Sequence, residues 1–260
     1  MILNDKVPFQ ISNPLIEQKD FIVKIADSED ELQQAFRLRF NVFNVELSEG
    51  LDSSVSKGLD IDEFDDQFLH LVVICRESGK VIATYRVQNY TMAQGGHGFY
   101  SADRFDFKEF PSEIQEKSIE TSRACVARPY RNSIVLGLLW KGLAALMLHN
   151  NIRYFFGCSS VQSTDKQDAN GLVKLFDEMN VYHKEIRLQA LKDFHCPYED
   201  IIADISQVTL PPLFSIYLKF NCNICSDPCF DRDFKTITFL ILLDVNKLPA
   251  RIVEHFTGKK

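Results

Sequence analysis

Residues 119–131 combine one acid, several arginines and a proline turn in a short segment. Glu120 and Arg123 lie in a stretch that predicts a strand, and the basic turn Arg128-Pro129-Tyr130-Arg131 precedes an apolar stretch that predicts a helix over about 133–149. A carboxylate can take a proton from an amine, and the free N–H groups of a helix N-terminus can bind a phosphate. These residues indicate a site that holds a phosphate-bearing thioester and deprotonates an amine.

The spacing of Glu120 and Arg123 sets a condition on that site. Side chains of a regular strand alternate between its two faces, so two residues three apart point in opposite directions. Both can line one site only if the strand contains a bulge, which the hypothesis therefore requires. Structural ion pairs on the two faces are the alternative interpretation.

The surrounding elements alternate between strand and helix patterns. Two β-branched runs joined by Glu77-Ser78-Gly79-Lys80 predict an antiparallel hairpin, and the middle of the chain predicts a strand-helix-strand crossover. We expect strands at 21–26, 68–75, 81–90, around 119, at 153–158 and at 236–245, a glycine-containing loop after the hairpin, and helices at 28–43, 133–149, 169–179, after Pro212 and near the C-terminus. This pattern predicts one α/β domain over residues 1–260, with a core from about 20 to 200 and a C-terminal elaboration from about 205 to 260.

Composition narrows the class of protein. The chain has 260 residues, 45% of them hydrophobic, and a formal net charge of −7, which suits an enzyme and argues against a general nucleic-acid-binding protein. No secretory signal is expected, because Asn4, Asp5 and Lys6 interrupt the first apolar residues. The apolar run 134–147 is shorter than the ~20 residues of a membrane span. Together with seven cysteines, these features predict a cytoplasmic protein.

Several short blocks between about residues 36 and 245 share the order of motifs of a known superfamily. They are Leu38-Arg39-Phe40-Asn41-Val42-Phe43, Thr84-Tyr85-Arg86, Gly98-Phe99-Tyr100-Ser101, Glu120-Thr121-Ser122-Arg123-Ala124-Cys125-Val126, Leu138-Leu139-Trp140-Lys141-Gly142-Leu143, Phe156-Gly157-Cys158-Ser159, Leu210-Pro211-Pro212-Leu213 and Asp231-Arg232-Asp233-Phe234. The chain resembles the acyl-CoA N-acyltransferase (GNAT) and acyl-homoserine-lactone synthase superfamily. Within it, the strongest resemblance is to the ornithine-lipid-forming N-acyltransferases.

The resemblance implies a GNAT-like fold, with a mixed, mostly antiparallel central sheet flanked by helices and a C-terminal extension. It also implies that Glu120 is the catalytic base and that Arg123 organises the site. Arg39, Phe43 and Arg86 are expected near the amino-acid substrate, since arginine can bind a carboxylate with two hydrogen bonds.

The acidic segment at residues 46–66 provides the other expected substrate contacts. Asp60, Asp62 and Asp65 could receive the side-chain ammonium of a diamino acid such as ornithine. Calcium is the rival ligand, because carboxylates at this spacing could hold it. The segment lacks the glycine and terminal glutamate of a helix-loop-helix calcium site, so no metal is predicted.

The donor side is expected at Val126, Arg128, Arg131 and Lys141. Residues 132–134 stand where general acetyltransferases have a glycine-rich loop, which leaves room for an acyl carrier protein in place of coenzyme A. Its acidic surface would suit these basic residues, although a solvated charged face is the alternative. No cofactor is expected, because the acyl-carrier thioester is a co-substrate.

Cysteines offer two further hypotheses. Cys222-x2-Cys225-x3-Cys229 could hold zinc with His195 or Cys196, but this spacing matches no recognised zinc site, so a packing role is expected. Cys158 ends a predicted apolar strand and is expected to be a buried, unreactive thiol.

The sequence thus predicts an N-acyltransferase that moves a 3-hydroxylated fatty acyl group from acyl carrier protein to the α-amine of L-ornithine, the first step of ornithine lipid synthesis. An acyl-homoserine-lactone synthase or an acyltransferase for another amino acid is one alternative. A non-catalytic acyl-carrier or membrane-surface binding protein is another. The apolar product gives a reason for peripheral contact with the inner face of the membrane.

Overall fold

The computed structural model describes residues 9–198 and 208–257. Residues 1–8, which carry part of the export prediction, and residues 199–207, at the predicted start of the C-terminal elaboration, lie outside the described residues. The strands are β1 Ile16–Glu17, β2 Phe21–Ile25, β3 Leu69–Cys75, β4 Lys80–Asn89, β5 Ser118–Val126, β6 Tyr154–Gln162, β7 Asn223–Ile224, β8 Cys229–Asp231 and β9 Thr236–Asp244. The helices are α1 Glu29–Phe40, α2 Tyr90–Gly95, α3 Ser112–Glu116, α4 Ser133–Asn150, α5 Lys166–Glu178, α6 Pro212–Lys219 and α7 Ala250–Thr257.

These strands form a mixed sheet in the order β1-β2-β3-β4-β5-β6-β9-β7, and β8 also pairs with β9. The β5–β6 pair is parallel and is connected through α4, whereas the other pairs are antiparallel. The predicted fold class is therefore confirmed, as are the early hairpin of β3 and β4 and the crossover in the middle of the chain. From the C-terminal part of the chain, β9 pairs with β6 along the whole of both strands.

Helices cover both faces of the sheet. On one face α4 packs against β2, β3, β4 and β5, and α5 and α6 pack against β9. On the other face α1 packs against β3, β4 and β5. Each strand of the central sheet therefore buries side chains on both sides, which explains why these strands read as nearly continuous apolar runs.

The first helix begins where the sequence predicts. The Ser28 hydroxyl accepts a hydrogen bond from the backbone N–H of Glu31 at 3.3 Å, and the Glu31 carboxylate accepts one from the N–H of Asp27 at 3.0 Å. The helix continues beyond α1 as a π-helical turn, Asn41–Glu46, a form that often occurs at functional sites. This turn contains Phe43.

The segment after the hairpin differs from its prediction. Tyr90, expected as the last residue of a strand, begins α2 instead. The side chain of Asn89 accepts a hydrogen bond from the backbone N–H of Met92 at 3.0 Å, and this cap starts a short helix where a glycine-containing loop is expected.

Helix α4 is longer than the apolar run from which it is predicted. Among the described residues it is long and apolar enough, by length and composition, to cross a membrane, a test that core helices also pass. Its buried side chains, such as Val135, Leu139 and Leu146, pack in the same core as β3 and β4.

Candidate active site

A cavity of about 320 Å³ opens where β5 and β6 separate. The two strands pair over three residues, from Ser118 opposite Tyr154 to Glu120 opposite Phe156, and diverge after that point. Gly157 follows on β6, where an added Cβ would lie 2.2 Å from the carbonyl oxygen of Thr121. Glycine therefore permits the close approach of the two strands at the point where the cavity begins.

The cavity has a polar end and an apolar end. Its polar wall contains Glu49, Tyr100, Arg123 and Asp231, together with the predicted substrate contact Phe43. The apolar wall comes from α4, α6, α7 and the residues between β9 and α7. It includes Trp140, Met147, Leu213, Phe220, Val253 and Phe256. Such a cavity suits a ligand with a polar head and a long alkyl chain.

Arg123 lies in the bulge that the sequence hypothesis requires. Thr84 pairs with Cys125 and Arg86 with Ser122, so β5 has one more residue than β4 between these two pairs. Arg123 has a φ of 54°, in the left-handed region that non-glycine residues rarely adopt. The bulge is confirmed, and it lies at Arg123 itself.

A buried network of ion pairs lies beside the bulge. Arg39, near the end of α1, donates from Nε to Asp60 at 2.9 Å and from Nη1 to Asp65 at 2.7 Å. Arg86 on β4 donates to Asp62 at 2.5 Å and to Asp65 at 3.1 Å. Burial alone would raise the pKa of the Asp65 carboxyl, but Arg39 and Arg86 hold it well below its ordinary value. Each buried charge therefore has an opposite charge beside it.

Arg123 extends this network to the cavity. Its Nε donates to Asp60 at 3.2 Å, its Nη2 to Asp62 at 2.8 Å and its Nη1 to the hydroxyl of Tyr100 at 3.2 Å. A guanidinium carries five N–H donors, and these contacts use three of them. Because Arg123 also lines the cavity, it has donors left for a ligand there.

The network gives different positions to five residues predicted to bind substrate. Arg39 and Arg86, expected near the substrate carboxylate, are fully buried and do not line the cavity. Asp60, Asp62 and Asp65, expected to receive an ammonium, are paired with arginines instead and also lie outside the lining. Three arginines are thus paired with three carboxylates, and two of these carboxylates, Asp60 and Asp62, bind the arginine of the bulge.

Glu120 does not line the cavity either. Its side chain is fully buried, and its carboxylate accepts hydrogen bonds from Gln88 Nε2 at 2.6 Å, from Tyr100 N at 2.9 Å, and from the N and Oγ of Ser101 at 2.7 and 2.6 Å. Burial raises the pKa of Glu120, whereas these four donors favour the charged carboxylate. The structure thus brings Arg123 to the cavity wall and leaves Glu120 behind it, with Tyr100 in contact with both.

A hydrogen-bonded chain leads from the cavity to Glu120. Cys158 lines the cavity, and its Sγ donates to Ser101 Oγ at 3.5 Å. Ser101 Oγ in turn donates to Glu120 Oε1 at 2.6 Å. Desolvation raises the pKa of the Cys158 thiol to about 12, so the thiol is neutral at physiological pH. The expected buried position at a strand end is wrong, because Cys158 is partly buried in the middle of β6 and lines the cavity.

Sequence reasoning assigned no role to Tyr100, Ser101 or Glu49. Tyr100 and Ser101 belong to one of the blocks that carry the family resemblance, and this was the sequence signal that could have identified them. They contact Glu120 because a short 3-10 turn, Tyr100–Asp103, folds over β5. Local sequence patterns do not indicate this turn.

The N-terminus of α4, the predicted phosphate site, is already capped. The Asn132 side chain accepts hydrogen bonds from the backbone N–H groups of Ile134 at 3.0 Å and Val135 at 3.1 Å. Two of the donors expected to face an anion are therefore occupied. Arg128 lies exposed in the turn before the helix.

Some basic residues of the predicted donor side form ion pairs and others do not. Arg131 is paired with Glu46 at 2.6 Å, and its Nε donates to the carbonyl oxygen of Val126 at 2.9 Å. Arg153, in the same strip, is paired with Asp244 at 2.9 Å. Within the described residues, Arg128 and Lys141 have no ion pair. None of the four predicted donor-side residues lines the cavity.

The cysteines and the acidic segment contain the residue types that could bind a metal ion. Over residues 9–198 and 208–257, no three His, Cys, Asp or Glu side chains come together in a way that could hold a metal ion. Cys222, Cys225 and Cys229 are buried free thiols. Cys225 and Cys229 pack in the apolar core around Phe156.

The chain is similar to several known proteins. Residues 38–141 match the family model of an acetyltransferase (GNAT) domain. An L-ornithine N(alpha)-acyltransferase of Brucella abortus (strain 2308) is 29% identical over 248 residues, which cover 90% of this chain and 88% of that protein. A second one, from Agrobacterium fabrum (strain C58 / ATCC 33970), is 26% identical and covers 91% and 85%. The crystal structure of the AHL synthase LasI has a TM-score of 0.48 and 15% identity, over 87% of this chain and 90% of that one.

The family model and the curated relatives agree on the class of reaction. The relatives match about nine-tenths of the chain, and the family model runs from the end of α1 through β3, β4 and β5 into the first half of α4. These are the elements that carry Arg39, Arg86, Glu120 and Arg123. The chain is an acyltransferase that contains a match to a GNAT domain over residues 38–141 and is similar to the L-ornithine N(alpha)-acyltransferases.

Proposed function

We propose that this enzyme moves a 3-hydroxylated fatty acyl group from acyl carrier protein to the α-amine of L-ornithine, as the first step of ornithine lipid synthesis. The observation that carries the proposal is a cavity with a polar end at Arg123 and an apolar end among α4, α6 and α7. The names of the curated relatives support ornithine as the acceptor.

The apolar end is suited to the acyl chain. Each buried methylene stabilises the complex by about 0.8 kcal/mol, so an acyl chain that lies along Trp140, Met147 and Phe256 binds more tightly as it becomes longer. The acyl carbonyl then lies where β5 and β6 diverge, between the two ends. This arrangement favours long acyl groups over acetyl.

Arg123 is proposed to bind the carboxylate of the amino acid. Its contacts with Asp60, Asp62 and Tyr100 leave N–H donors for a second partner, and its position on the bulge is held from two sides. A carboxylate bound there places the α-amine beside the thioester carbon, which accelerates attack by orientation.

Glu120 is proposed to receive the proton of the α-amine through the chain of Cys158 and Ser101. As the amine nitrogen attacks the thioester carbon, its proton passes to Cys158 Sγ, the thiol proton to Ser101 Oγ and the serine proton to Glu120 Oε1. Both hydrogen bonds of the chain donate toward Glu120, the direction that this transfer requires. The C–N bond forms, the C–S bond breaks, and the thiolate of the carrier leaves.

Acyl carrier protein is proposed as the donor because two basic residues, Arg128 before α4 and Lys141 on it, have no ion pair among the described residues and suit an acidic surface. No cofactor is needed for this step. The product keeps its acyl chain, so the proposed address is the cytoplasm with peripheral contact at the inner face of the membrane.

The test is to incubate the protein with 3-hydroxyacyl thioesters of acyl carrier protein or coenzyme A and with ornithine, lysine, glycine or tyrosine. We expect N-acyl-ornithine by mass spectrometry, formed faster from the carrier thioester. No product with any amine refutes acyl transfer, product with glycine or tyrosine alone refutes ornithine, and equal rates from coenzyme A refute the carrier.

A pair of variants tests the docking side. Arg128→Ala is expected to raise the KM for the carrier thioester several-fold, because exposed charges at an interface mainly affect encounter. Arg76→Ala removes an exposed arginine paired with Glu17 on the far edge of the sheet and is the matched control. Equal effects of the two substitutions would contradict docking at Arg128.

A further inference from the structure

The polar end of the cavity contains two carboxylates among the described residues, Glu49 and Asp231. Asp231 accepts a hydrogen bond from Arg104 Nε at 3.0 Å and another from the backbone N–H of Phe234 at 3.2 Å. Its charge is therefore neutralised within the protein. Glu49 is in a different situation.

Glu49 has no ion-pair partner among residues 9–198 and 208–257. Its side chain is partly buried at the cavity wall, and burial raises the pKa of its carboxyl, with no cation of the protein beside it to oppose the shift. Arg123, the basic residue of the same wall, is already held by Asp60 and Asp62. A half-buried carboxylate in this position has unused capacity for a cation from outside the protein.

The segment that carries Glu49 is fixed over the polar end. Gln162, at the end of β6, donates from Nε2 to the carbonyl oxygen of Leu47 at 2.7 Å, and Lys235 lies 3.5 Å from Asp52. The backbone N–H of Glu49 donates to the carbonyl oxygen of Phe43 at 2.8 Å. The carboxylate is thus held beside the cavity on the side where the strands present polar residues.

Those polar residues form a row of hydroxyls on β6 and β9. Ser160 Oγ lies 2.7 Å from Thr238 Oγ1, which lies 3.0 Å from Thr236 Oγ1, and all three residues line the cavity. Hydroxyls can accept hydrogen bonds from an ammonium without adding charge. The wall therefore provides one free negative charge and several neutral acceptors.

We propose that Glu49 binds the side-chain ammonium of the acceptor amino acid and so selects a diamino acid over a neutral one of the same length. The inference deepens the proposed transfer to ornithine and rests on it. The role of binding the ammonium, expected from sequence for Asp60, Asp62 and Asp65, thus falls to a single residue of the cavity wall. The charges of those three aspartates are already paired within the protein.

The test compares L-ornithine with L-norvaline, which has the same carbon chain without the terminal amine, in wild type and in Glu49→Gln. A hydrogen bond to a charged group is lost in the variant, so we expect kcat/KM for ornithine to fall about 10- to 100-fold. The value for norvaline should stay within about twofold, because norvaline cannot use this contact. The wild-type preference for ornithine should shrink by the same factor.

Glu63→Gln is the matched control, since Glu63 is an exposed carboxylate of the neighbouring acidic segment and lies outside the cavity lining. An unchanged ornithine value in Glu49→Gln overturns the proposal. An equal loss for both amino acids overturns it as well, because Glu49 would then act on a group that both share. If wild type acylates neither ornithine nor norvaline, the proposed acceptor itself is wrong, which is distinct from a failure of Glu49.

Discussion

Replacing Arg39 with methionine removes the guanidinium that two buried carboxylates share. Arg39 and Asp60 are fully buried, and the side chain of Asp65 is 3% exposed. Removing one partner of a buried ion pair costs about 3–5 kcal/mol, because the remaining charge stays in a medium of low dielectric constant. Asp60 keeps Arg123 and Asp65 keeps Arg86, so we expect a loss near the lower value, about 3 kcal/mol of unfolding free energy.

The loss should depend on pH in a defined direction. In the wild type, burial alone would raise the pKa values of Asp60 and Asp65, but the arginines hold them below their ordinary values. The stabilisation by these carboxylates is therefore present above about pH 3.9 and is lost only below it. In the variant the pKa values of both carboxyls rise toward their ordinary value, because each carboxylate loses one arginine and keeps another. The difference between the two proteins should thus be constant down to about pH 5 and should shrink from pH 7 to pH 3, as the carboxylates become protonated.

Urea denaturation at both pH values measures this difference. The control is Arg76→Met, which breaks a pair whose side chains are 37% and 59% exposed and should cost less than about 1 kcal/mol. If Arg39→Met costs no more than Arg76→Met, or costs the same at pH 3 as at pH 7, the buried network does not stabilise the fold in the way described.

Three further predictions follow from individual side chains. Gly157→Ala places a Cβ 2.2 Å from the Thr121 carbonyl oxygen and should lower the free energy of unfolding by about 3 kcal/mol, with loss of activity. Thermal or urea unfolding measures this loss, and an unchanged stability would contradict the close approach of β5 and β6. Burial lowers the pKa of His70 to about 3, so its contribution to stability is present above the unfolded pKa of about 6.5 and is lost as pH falls. About 2 kcal/mol of unfolding free energy should disappear between pH 7 and pH 5, and His70→Gln should reduce this dependence on pH. Cys158→Ala should lower kcat about 100-fold at constant KM, and Cys158→Ser should restore most of it; equal kcat in wild type and Cys158→Ala would exclude the proton chain.

Much of the fold could be predicted from sequence, because its signals are local. The cap at Ser28 fixes the start of α1, and apolar runs separated by turn residues mark the hairpin and the crossover. The bulge at Arg123 was predicted as a condition for Glu120 and Arg123 to share a site, and it is present, although Glu120 does not line the cavity. A single side chain, Asn89, was enough to replace a predicted loop with α2.

The candidate site was less predictable, because its contacts join distant parts of the chain. Arg39 could equally have bound a substrate carboxylate, and only the position of Asp60 and Asp65 shows that its donors are used within the protein. Likewise, nothing local distinguishes Glu49 from the acidic residues that follow it. Glu49 differs from them because no arginine lies beside it among the described residues, and only the fold determines this.

The pairing of β6 with β9 has a consequence for the growing chain. The first three residues of β6 pair on one edge with β5, which is already made, but the other edge is completed by a strand that the ribosome adds much later. Contacts between such distant segments carry a large loop-closure cost and form late. During synthesis the open edge of β6 is a template for pairing with other chains, so a slow or interrupted translation of the last strand should favour aggregation over a partly active enzyme.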